Sequence, residues 1–88
     1  NEPQLNSCYP NPFNNSTTIS YVINEETPVN INVIDLQGRV RKSIINYTAQ
    51  SPGTYSFSWN ADQHSSGVYF IQLVTQYTIQ HQKVLLVK

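Results

Sequence analysis

The sequence predicts an all-β protein, an antiparallel β-sandwich of six or seven short strands, and three observations carry the prediction. Apolar residues recur at every second position in several separate runs, which is the period of a half-buried strand. Asn, Asp, Ser, Gly and Pro separate those runs at short intervals, and these residues bend the backbone cheaply or hydrogen-bond to it locally. No stretch shows a helical period with caps at its ends. In a chain of 88 residues, many short strands divided by turn signals are the pattern of a sandwich.

Residues 1–8 have no periodicity and read as linker, so the expected domain spans 9–88. Tyr9-Pro10-Asn11-Pro12-Phe13-Asn14 then sets two prolines around an asparagine between two aromatics. Proline fixes φ and pushes the residue before it toward extended backbone, which makes this a stiff, kinked opening. Tyr9 and Phe13, with Tyr47 and Tyr77, are the rings expected at the surface. Thr17 to Ile23 alternates cleanly, with Ile19, Tyr21 and Ile23 on the face predicted to be core.

After the polar turn Asn24 to Pro28, Val29, Ile31 and Val33 restart the alternation, as a hairpin or a crossing between sheets. In Asp35-Leu36-Gln37-Gly38-Arg39, Gly38 stands where a tight turn needs positive φ. Val40 to Tyr47 carries Arg41 and Lys42 beside Ile44 and Ile45, which suits a solvated edge strand. Ala49 to Gly53 is a further turn. Tyr55, Phe57 and Trp59 alternate with serines and are predicted to put three rings into the core. Following the turn Asn60 to Gly67, Val68 to Thr75 is the densest apolar run, expected as a central strand covered on both sides. Tyr77 to Val87, through Ile79 and Val84 to Val87, supplies the last strand or strand pair.

Composition argues against chemistry and against nucleic acid. Five basic and five acidic residues give zero formal charge, so no basic face is expected to neutralise phosphates. The lone Cys8 cannot form an internal disulfide, and no window approaches the roughly 18–20 apolar residues of a membrane span. His64 and His81 are the only histidines and lack the cysteine or carboxylate partners of a metal site. Asp62, His64 and Ser65 are close in sequence, but a catalytic triad is defined by geometry and not by adjacency. No glycine-rich phosphate loop is present. A non-catalytic module without cofactor or metal is therefore expected, a structural spacer or a carbohydrate-binding accessory module being the alternatives to the reading that follows.

A set of motifs in order carries a family resemblance. It consists of Leu5, Tyr9-Pro10-Asn11-Pro12-Phe13-Asn14, Thr17-Thr18-Ile19, Val33 to Val40 with its Gly38-Arg39 turn, Trp59-Asn60-Ala61, Ser66 to Phe70, and the terminal Lys83-Val84-Leu85-Leu86-Val87-Lys88. Together they resemble the type A C-terminal sorting domain of the type IX (Por) secretion system. The immunoglobulin-like domain of the flagellar hook-capping protein is similar in its Tyr-Pro-Asn-Pro-Phe-Asn opening. Cys8 and Asn15 depart from the pattern, in the opening loop only.

The resemblance implies an immunoglobulin-like sandwich of about seven strands that follows a larger cargo protein of a Bacteroidetes-type bacterium, residues 1–8 linking the two. It implies export through the periplasm and outer membrane to the cell surface or beyond. The implied partners are the type IX translocon, outer-membrane shuttle components and a sortase-like peptidase. Recognition is assigned to Gly67, Val68 and Tyr69 and to Lys83, Val84, Leu85, Leu86, Val87 and Lys88, with the last strand offered as an open docking edge. Tyr9 to Asn14, Gly38, Arg39 and Trp59 are assigned structural roles.

Overall fold

Seven strands form in the computed structural model, which describes residues 2–88: β1 (Gln4–Leu5), β2 (Ser16–Ile23), β3 (Thr27–Asp35), β4 (Val40–Gln50), β5 (Gly53–Asn60), β6 (Gly67–Val74) and β7 (Ile79–Leu86). They build two antiparallel sheets, one ordered β1-β2-β5 and the other β4-β3-β6-β7. The sheets pack face to face as an immunoglobulin-like sandwich. Consecutive elements cross between sheets at β2–β3, β4–β5 and β5–β6, so the Asn24 to Pro28 connection is a crossing and not a hairpin.

Alternation explains the core. Ile19, Tyr21 and Ile23 of β2 face Val29, Ile31 and Val33 of β3 and Ile71 and Leu73 of β6, all at most 1% exposed. Each such side chain contributes about 1.5–3 kcal/mol by leaving water. β6 is central, flanked by β3 and β7, but only its inner face is fully covered, because among the described residues no layer lies over Phe70, Gln72 and Val74. At the edge of its sheet, β5 pairs with β2 alone; hence Tyr55 and Phe57 are half-buried, whereas Trp59 is buried under Phe13 and Tyr69. Tyr55 instead stacks on Tyr21, with ring centroids 5.3 Å apart.

Several expectations are corrected. Residues 4–8 do not behave as free linker: Gln4 and Leu5 pair with Val22 and Tyr21, and Pro3, Leu5 and Cys8 are buried. Side chains from β7 hold the same segment. Gln80 Oε1 accepts the Leu5 N–H at 2.8 Å, Gln80 Nε2 donates to the Pro3 carbonyl at 2.6 Å, and Gln82 Nε2 donates to the Leu5 carbonyl at 3.2 Å. Phe13 is buried too, against Trp59 at 5.5 Å between centroids, because its backbone is fixed to β7. Tyr9, Tyr47 and Tyr77 are exposed as expected.

β4 runs on to Gln50, pairing Thr48, Ala49 and Gln50 with Val29, Pro28 and Thr27. The turn is thus shorter than the Ala49 to Gly53 reading. Register breaks along β3–β4 accompany Tyr47 at φ 49°, whose N–H donates to Asn30 Oδ1. A single strand, β7, closes the chain, and Ile79 lies exposed at its start.

Candidate functional site

Strand direction sorts the loops onto two ends. One end gathers the β3–β4 turn, the β5–β6 loop, the proline loop of residues 9–14 and Lys88; the other gathers the β2–β3, β4–β5 and β6–β7 turns together with Glu2, whose carbonyl accepts from Asn24. Strands of eight residues separate the ends by about 25 Å.

Asp35 organises the first end. Its Oδ1 accepts the N–H groups of Gln37 and Arg39 at 2.9 Å each, and its Oδ2 accepts Arg39 Nε at 2.9 Å. Gly38 at φ 83° closes this turn, donating its N–H to the Asp35 carbonyl. A second guanidinium, that of Arg41, stands 3.8 Å from the same Oδ2. Partial burial pushes the carboxyl up, but the hydrogen bonds from Arg39 and Gln37 and the Arg39 charge outweigh it and hold the pKa below the ordinary carboxylate range.

Beside this turn the surface dips into a shallow recess of about 250 Å³, lined by Arg39, Arg41, Ser65, Ser66, Gly67 and Val68 among others. Lys88 borders it, its N–H donating to Ser66 Oγ at 2.9 Å and its Nζ to the Asp62 carbonyl at 2.7 Å. Under the recess, Tyr69 packs edge-on against Trp59 and His64, and its hydroxyl donates to the Ser65 carbonyl at 2.6 Å. Trp59 Nε1 and His64 Nδ1 are buried and find no hydrogen-bond partner among the described residues. Burial, and then the charges of Arg41, Lys88 and Lys42, lower the His64 pKa.

The proline loop seals the outer edge of β7 nearby. Phe13 N–H donates to the Leu85 carbonyl at 3.0 Å and the Val87 N–H to the Phe13 carbonyl at 2.8 Å. Asn11 adds a bond to the Lys83 carbonyl and another from the Leu85 N–H. Thr17 Oγ1 in turn donates to the Pro10 carbonyl at 2.7 Å. The expected open docking edge is thus closed along its C-terminal half by the chain's own residues. Among the described residues, no three of His, Cys, Asp and Glu converge as metal ligands.

Residues 7–88 match the family model of the secretion system C-terminal sorting domain. The chain belongs to this family. As a type IX sorting domain it is the address of an exported protein, recognised by the type IX machinery and taken across the outer membrane to the cell surface or the outside. No curated protein matches the chain.

In this sorting domain, motifs far apart in sequence meet at one end: the Gly38-Arg39 turn, Gly67 and Val68, and Lys88. Of the residues assigned to recognition, Lys83, Leu85, Val87 and Lys88 are exposed, and Gly67 and Val68 are half-buried in the recess wall. Tyr69, Val84 and Leu86 point into the core, so their part is to hold the surface from beneath. Asp35, Arg41, Ser65 and Ser66 were missed as members of this face. Asp35 was within reach of sequence reading, since an Asp three residues before a turn glycine commonly accepts from the turn's own amides.

Proposed function

We propose that the end of the sandwich bearing Gly67, Val68, Lys88 and the Gly38-Arg39 turn is the surface that the translocon and outer-membrane shuttle components read, with Lys83, Leu85 and Val87 flanking it. The domain does this without catalysis of its own, offering shape and charge on a stable sandwich. The observation that carries the reading is the convergence of these motifs on the end opposite Glu2. A cargo joined ahead of residue 2 leaves that end free. Addition of a partner strand at the C-terminal half of β7 is not part of the proposal, since Phe13 and Asn11 already occupy the backbone groups it needs.

A sortase-like peptidase, on this reading, separates cargo from domain upstream of Pro3. From Pro3 onward the backbone is tied to Gln80 and Gln82, and a peptidase needs an extended segment free of such bonds. Deleting Val84 to Lys88 would remove core residues, so the decisive test uses surface changes. Residues 1–88 are fused behind a reporter in a host with the type IX system, and Val68→Glu is compared with Leu85→Ser/Val87→Ser and with Glu25→Gln at the far end. Export falls for the first two with Trp59 emission unchanged, and stays normal for the third. Undiminished export of the folded Val68 and Leu85/Val87 variants would sink the proposal.

A further inference from the structure

Zero net charge conceals a strong separation of charge. All five basic residues, Arg39, Arg41, Lys42, Lys83 and Lys88, lie in the half of the sandwich that ends in the recess, with only Asp35 and Asp62 to oppose them. Glu2, Glu25 and Glu26 sit at the other end with no basic residue among them. Zero charge overall, the ground for expecting no basic face, thus masks a half of the sandwich with five cations against two carboxylates. Ordering of the strands, which net charge cannot report, gathers the cations in that half.

Resting on the reading of this end as the recognised one, we infer that its partner is an acidic protein segment, a run of aspartate and glutamate side chains that reaches across the rim from Arg39 and Arg41 to Lys42 and Lys88. Three features bear on the occupant, and the first of them sets carboxylates on a peptide apart from a compact polyanion. First, Asp35 already stands in the lining of the recess, 2.9 Å from Arg39 Nε, and its negative charge repels a phosphate seated beside it. Carboxylates spaced along a chain can instead pass around it to each cation separately.

Second, Arg39 spends its Nε on Asp35 while its outer nitrogens face away, Nη2 meeting only Gln37 Oε1 at 3.5 Å. That leaves a guanidinium oriented by one carboxylate with its terminal edge open to another, the planar geometry a carboxylate matches in two bonds. Third, the cations act on a common region: Arg41, Lys88 and Lys42 all disfavour protonation of His64. A positive potential of this kind steers an acidic partner and sets register more than it sets final affinity.

The test has two arms. In the first, the folded domain is titrated into a fluorescent peptide of ten glutamates and followed by anisotropy across a salt series. Binding weakens steeply with salt; Arg41→Ala/Lys42→Ala/Lys88→Ala weakens it at least tenfold, and Glu25→Gln/Glu26→Gln leaves it unchanged. No binding by the unaltered domain, or equal loss in both variants, overturns the inference. So does tighter binding of anionic phospholipid vesicles, inorganic phosphate or a ten-nucleotide oligothymidine.

In the second arm, Arg41→Glu/Lys42→Glu/Lys88→Glu is placed on the reporter fusion, its fold checked by Trp59 emission. Export falls more than tenfold. Normal export of this variant while Val68→Glu still fails removes the acidic partner and leaves the recognised end standing; normal export of both removes the two together.

Discussion

Asn11 locks onto the backbone of Leu85, accepting its N–H at 3.0 Å while the same amide side chain donates to the Lys83 carbonyl at 2.9 Å. One residue of the proline loop thereby occupies two groups on the outer edge of the last strand, which an exposed edge would otherwise offer to any passing strand.

Replacement of Asn11 by Ala removes both bonds. The expected cost is about 1–2 kcal/mol, read by chemical denaturation with Trp59 emission. Hydrogen exchange at the Leu85 amide accelerates relative to amides in β3, and unchanged exchange would count against the lock.

Phe13→Ala empties a site against Trp59 that is 4% exposed. A loss of about 3–5 kcal/mol is expected. A loss below about 1 kcal/mol would mean that the ring is a surface ornament, as the sequence had suggested.

Cys8 is buried, and burial pushes its thiol up to about 11. Thiol-specific reagents at pH 7.5 therefore leave the native domain unmodified and label it at once in denaturant. Rapid labelling of the native form would contradict the packing of residues 4–8.

Asp35 makes stability depend on acid. Its folded pKa is lowered, so its contribution is fully present above the unfolded value of 3.8 and is lost as pH falls through the folded value. Below about pH 3.8 the wild-type domain loses stability that Asp35→Asn lacks throughout, and the two denaturation midpoints converge. Parallel midpoints down to pH 2 would refute the assignment.

Gly38→Ala meets no atom within 4 Å of the added methyl, yet it forces an L side chain to φ 83°. The expected cost of about 1–2 kcal/mol is one of backbone conformation alone. Substituting Asn, which tolerates this region better, should recover part of it.

How much of this was legible follows from the range of each interaction. β2 and β3 announce themselves because Ile19, Tyr21, Ile23, Val29, Ile31 and Val33 keep strict alternation and all reach the core. Gly38 was legible for the same local reason. Phe13 was not, since its destination is set by hydrogen bonds to Leu85 and Val87 more than seventy positions away. Gln80 and Gln82 read as ordinary surface amides, and nothing nearby in sequence shows that they grip Pro3 and Leu5. Tyr55 and Phe57 alternate as well as Ile19 does, but alternation cannot say that β5 lies at a sheet margin. Convergence of Arg39, Val68 and Lys88 needs the whole strand order.

The grip of Gln80 and Gln82 on Pro3 and Leu5 also has a mechanical side. β1 enters alongside β2, bonded to it on one flank and to amide side chains of β7 on the other. When the far end of the sandwich is held and the polypeptide ahead of Pro3 is dragged, tension runs along the strands, and bonds to both sheets must slide together instead of peeling one by one. Such shear loading spreads a pull on Pro3 over the bonds to β2 and β7 at once.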